Sequence, residues 1–115
     1  MASLSDKKCV PCEGGTAPLS ADTIFELAAE VPQWQVAGDK KSISRDIAFT
    51  DFVDAIVFVD DVAHIAEEEQ HHPDISVHNY NKVLVTLSTH AIDGLSENDF
   101  IVAAKIDVML RIAGD

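Results

Sequence analysis

Glu67–Asp99, EEEQHHPDISVHNYNKVLVTLSTHAIDGLSEND, decides the fold, because a helix end, two strands and a new helix start follow one another within it. Pro73 stops the incoming helix, since the residue before a proline is steered out of the helical region. Ile75–His78 and Asn79–His90 then read as two strands. In the second, Val83, Val85 and Leu87 face one side, while Tyr80, Lys82, Leu84, Thr86, Ser88 and His90 face the other. Ser96-Glu97-Asn98-Asp99 fits the capping-box pattern that opens a helix, with Asp where Glu is commoner. His90 is expected to end a strand on its polar face, and His71 and His72 to sit at a helix end that the chain returns past. Three imidazoles can therefore meet. Imidazole, with an ordinary pKa of about 6.5, both gives and takes protons at neutral pH, so the cluster reads as a reaction centre.

Upstream, Glu67 and His71 are four apart and share the last helical turn, which would let Glu67 orient the His71 ring. Thr50 is placed to cap that helix of about five turns. Phe52, Ile56, Val59, Ala63 and Ala66 form its apolar stripe, and Val53, Val57 and Val62 widen it enough to suggest burial against both the sheet and a partner subunit. Asp54, Asp60, Asp61, Glu67 and Glu68 read as a solvated face, and His64 as structural. Before the helix, Trp34–Val36 and Lys40–Phe49 read as a hairpin around Ala37-Gly38-Asp39, with Trp34 as a core anchor. Ser20 caps a first helix carrying Ile24, Leu27, Ala28 and Val31 and stopped by Pro32, with Leu19 and Ile24 as a staple. After Ser96, Ile101, Val102, Lys105, Ile106, Val108, Met109 and Ile112 carry the last helix to Gly114.

The order is αββαββα: an α+β fold with a four-stranded antiparallel sheet and three helices on one face. Residues 1–18 read as an N-terminal arm and 19–115 as a single domain, a length that buries roughly 65% of its unfolded surface. The uncovered sheet face and edge favour a homodimer or homotetramer. With 115 residues and a net charge of -12, direct nucleic-acid or anionic-membrane binding is not expected, since both need basic footprints. No apolar run suits a membrane span or signal peptide, so a cytoplasmic protein is expected. Cys9 and Cys12 make only half of a tetrahedral zinc site, and no βαβ pattern follows to suggest a redox pair. Glu67, His71 and His90 are conceivable zinc ligands, but adjacent His71 and His72 give no standard ligand spacing.

Several spaced elements carry a resemblance: Glu67-x-x-x-His71-His72-Pro73, Tyr80-Asn81-Lys82-Val83, Leu87-Ser88-Thr89-His90 and Gly94-Leu95-Ser96-x-x-Asp99, with Trp34 and the Cys9-x-x-Cys12-x-Gly14-Gly15 arm. Over nearly its full length the chain resembles the pterin-4a-carbinolamine dehydratases. It departs from them at Ile75, where members often have an aromatic residue, and in a loop between His72 and Tyr80 about one residue longer than in the animal enzymes. The resemblance implies the αββαββα fold, a dimer or a tetramer of dimers, and no metal or other cofactor. It also implies dehydration of 4a-hydroxytetrahydrobiopterin to quinonoid dihydropterin, in recycling for aromatic amino acid hydroxylases. His71, His72 and His90 are the implied catalytic residues, with Glu67, Asp99, Ser88 and Thr89 supporting or binding substrate. The family also contains a dimerisation cofactor of a homeodomain transcription factor and proteins that assist assembly, so a protein-binding role is the alternative.

Overall fold

The computed structural model describes residues 3–10 and 17–112; Cys12, Gly14 and Gly15 fall outside them, as does the expected end of the last helix at Gly114. A 3-10 turn, Leu4–Asp6, precedes α1 (Ala21–Ala28), β1 (Gln35–Val36), β2 (Ile43–Ala48), α2 (Phe52–Glu69), β3 (Asp74–His78), β4 (Lys82–Leu87) and α3 (Glu97–Ile112). The strands form one antiparallel sheet in the order β1-β2-β4-β3, and the three helices cover one face. No helix among the described residues is long and apolar enough to cross a membrane.

Alternation along β4 sets the layers, because side chains in a strand point to opposite faces in turn. Val83, Val85 and Leu87 are fully buried against the helices. The register puts Ile43, Arg45 and Ile47 of β2 beside them, and Ser44, Asp46 and Ala48 on the open face. α3 is the central helix, with Phe100, Ile101, Val102, Ala103 and Ile106 at 1% exposure or less. Trp34 is buried as expected, and its indole N–H donates to Asp107 Oδ1, which also takes Arg45 at 2.6 Å.

Local caps explain the starts of the α-helices. Ser20 Oγ accepts the Thr23 N–H to open α1. α2 is capped by Asp51, whose carboxylate accepts the Asp54 N–H at 2.8 Å, rather than by Thr50. Its inward stripe is Ala55, Phe58, Val62, Ala66 and Glu69. Phe52, Val53, Ile56 and Val57 from the expected stripe point to solvent. Two apolar faces compete on this helix, and Phe58, whose ring centroid lies 5.0 Å from that of Phe49, turns the second one inward.

Candidate active site

The site is built where α2 ends, where β4 ends and where α3 begins. α2 stops at Glu69 because Gln70 turns left-handed (φ 54), and the N–H groups of Gln70 and His71 both bond to Ala66 O. That reversal separates the histidine pair. His71 swings inward, where its side chain is 12% exposed and its Nε2 lies 2.6 Å from Asp99 Oδ1. His72 stays at the surface with its Nε2 2.5 Å from Glu67 Oε2. Glu67 therefore holds His72, not His71: the four-residue spacing orients a pair only while both residues stay helical.

Asp99 is fully buried and all its bonds are internal. Oδ2 accepts the Thr89 hydroxyl at 2.8 Å and the Ser96 N–H at 3.0 Å, while the Ser96 hydroxyl bonds to Thr89 Oγ1 at 2.7 Å. The capping box is thus half used: the carboxylate reaches back to Ser96 N–H, and the serine hydroxyl serves Thr89 instead. A carboxylate only accepts, so His71 presents Nε2–H to it and keeps Nδ1 for proton exchange. Nδ1 has no partner among the described residues.

β4 ends at Leu87, so His90 begins a 3-10 turn (His90–Ile92) rather than closing the strand as expected. The turn is closed by Thr89 N–H on Gly94 O at 2.9 Å. A Cβ on Gly94 would stand 2.8 Å from Pro18 Cβ, so glycine lets the chain before α1 lie on this loop. His90 is exposed, and neither ring nitrogen has a hydrogen bond among the described residues. His71, His72, His90, Ser88 and Thr89 line one cavity of about 520 Å³. Asp99 lies behind His71, and Glu67 beside His72. The other two histidines are elsewhere: His78 bonds Asp46 at 2.9 Å on the open sheet face, and His64 is exposed near Asp60.

Several residues of the cavity were not expected from the sequence. Cys9 and Val10 of the arm line it, together with Asn98. Glu69, at the end of an acidic run, is buried and accepts the Cys9 N–H at 2.8 Å. Burial pushes the Glu69 carboxyl up, but the Cys9 N–H, Lys105 and Lys8 outweigh it and leave the carboxyl below its ordinary value. Burial first, then the Glu69 charge and hydrogen bond, push the Cys9 thiol up to about 12. No group of three or more His, Cys, Asp or Glu side chains that could hold a metal ion occurs among the described residues. Glu67 and His71, two of the conceivable zinc ligands, are engaged with other partners.

Residues 17–109 match a family model described as Pterin 4 alpha carbinolamine dehydratase. A protein of Halorhodospira halophila is 46% identical over 93% of this chain and 97% of its own length. One of Nitrosospira multiformis is 47% identical over 95% of this chain and 94% of its own. Both bear the name "Putative pterin-4-alpha-carbinolamine dehydratase". A crystal structure of a transcriptional coactivator/pterin dehydratase from Brucella melitensis superposes with a TM-score of 0.74 at 33% identity, covering 80% of this chain and 97% of that one. A pterin dehydratase-like protein identified as a RuBisCO assembly factor in the alpha-carboxysome shares the fold, with a TM-score of 0.56 at 24% identity over 67% of this chain and 88% of its own.

Proposed function

Because the chain belongs to the pterin-4a-carbinolamine dehydratase family, we propose that it converts 4a-hydroxytetrahydrobiopterin to quinonoid dihydropterin and water by histidine acid/base catalysis. The observation that carries this reading is the single cavity lined by His71, His72 and His90, with His71 backed by the buried Asp99.

Dehydration asks for one acid and one base. An imidazolium gives its proton to the C4a hydroxyl, the C–O bond breaks and water leaves. The N5–H gives its proton to a neutral imidazole, and the electron pair released at N5 closes the N5–C4a double bond. One proton leaves the protein and one returns, so no outside reductant, oxidant or metal is needed. His71 and His90 are the acid/base pair. His72, tied to Glu67 at the cavity edge, holds the substrate or the departing hydroxyl, and Ser88 and Thr89 complete the polar wall. Asp99 fixes the tautomer of His71. The product is a pterin ready for reduction, which suits recycling of the cofactor of aromatic amino acid hydroxylases.

The test is the purified chain added to carbinolamine generated in situ, with appearance of the quinonoid product followed by its absorbance, with and without a chelator. Acceleration that survives chelator supports the proposal, and a rate equal to the uncatalysed one contradicts it. A protein-binding role is the second reading, supported by the likeness to the Brucella melitensis protein described as a transcriptional coactivator/pterin dehydratase. It predicts a partner-dependent function that persists when His71 and His90 are replaced.

A further inference from the structure

The N-terminal segment lies along the surface with Leu4 in the core and its backbone held at the site. Leu4 is 3% exposed in the core, and Lys105 Nζ donates to Ser5 O at 2.9 Å. From there the chain reaches the cavity at Cys9 and Val10, and two buried polar side chains take hold of its backbone. Glu69 Oε1 accepts the Cys9 N–H at 2.8 Å. Asn98 grips Val10 from both sides, its Oδ1 accepting the N–H at 3.0 Å and its Nδ2 donating to the carbonyl at 2.6 Å. A side-chain amide that satisfies both backbone groups of one residue fixes that residue as a neighbouring strand would. Asn98 and Glu69 are 4% and 7% exposed, while Val10 stays 64% exposed and lines the same cavity as the three histidines.

We propose that Cys9 and Val10 form one wall of the pterin site, with Glu69 and Asn98 as the positioning residues that hold it there. The inference rests on the dehydratase reading. The backbone of Val10 is consumed by Asn98, so what the wall offers a ligand is its isopropyl group. An apolar contact facing the three histidines suits a flat heterocycle, whose faces are apolar and whose edge carries the donors and acceptors. Such a wall acts on how well the pterin is held, and leaves proton transfer to the histidines.

The experiment compares kcat and KM for carbinolamine dehydration in the wild-type chain, Val10→Gly and Asn98→Ala, with amide hydrogen exchange at Cys9 and Val10. Val10→Gly trims the surface side chain and keeps both backbone bonds. Asn98→Ala releases the wall. Both are expected to raise KM about five- to tenfold, more than they lower kcat, with the pH profile of kcat keeping its shape. Only Asn98→Ala should lose exchange protection at Val10. A wild-type KM in either variant, or a loss in kcat larger than the rise in KM, overturns the wall. A wild-type chain with no dehydratase activity instead overturns the functional reading beneath it.

Discussion

Asp99 performs two tasks with one carboxylate: it caps α3 through Ser96 N–H and fixes His71 through Oδ1. The Ser96-x-x-Asp99 spacing made the first task legible, because capping is local. The second depends on a loop bringing His71 back from another element, and no spacing encodes that. In Asp99→Asn the amide oxygen would keep Thr89 and Ser96, leaving the NH₂ to face His71 and demand the opposite tautomer. We predict a fall in kcat of about 10²-fold or more, together with a stability loss of about 1–3 kcal/mol in urea unfolding. A variant with wild-type kcat would separate Asp99 from the chemistry. Cys9 makes a second prediction at this scale. With its thiol held near 12 it carries almost no thiolate at neutral pH. Its alkylation by iodoacetamide at about pH 7.5 should be at least about 100-fold slower in the folded chain than in urea, read by peptide mass; equal rates would contradict the buried environment.

At the level of elements, the element order, the strand alternation and the helix starts at Ser20 and Ser96 were written in periodicity and capping residues, whereas the strand order β1-β2-β4-β3 was not. The left-handed Gln70 was not. Nothing in EEEQHHP distinguishes a helix ending at Glu69 from one running on to His72, yet that choice sends His71 to Asp99 and His72 to Glu67. The acidic run hides a similar ambiguity, since Glu67 and Glu68 are exposed while Glu69 is buried under the arm. The depressed Glu69 carboxyl ties the arm to pH. A carboxyl whose folded value lies below its unfolded one adds stability above the unfolded value, about 4.3, and gives it up as pH falls through the folded one. Wild type should therefore melt above Glu69→Gln from about pH 5 upward, with the difference closing on further acidification. A difference that grew toward low pH would reverse the assignment.

For the whole molecule, the pattern on α2 was wide enough to suggest two apolar faces, but only packing could say which one meets the sheet. The outward face exposes Phe52 at 51%, Val53 at 67%, Ile56 at 43% and Val57 at 52%, side chains that water disfavours and a second copy of this chain can cover. We propose a homo-oligomer through this face. Val53→Glu with Val57→Glu should lower the mass found by sedimentation while leaving the fold, by circular dichroism, intact; an unchanged mass would place the contact elsewhere. The cavity with its histidines is assembled within one chain, so the chemistry should persist in that variant. The most direct test of that chemistry is the rate of carbinolamine dehydration by folded His71→Ala and His90→Ala protein at saturating substrate. A loss of about 10²–10⁴-fold in each is the predicted result, and a wild-type rate in either would contradict the acid/base pair.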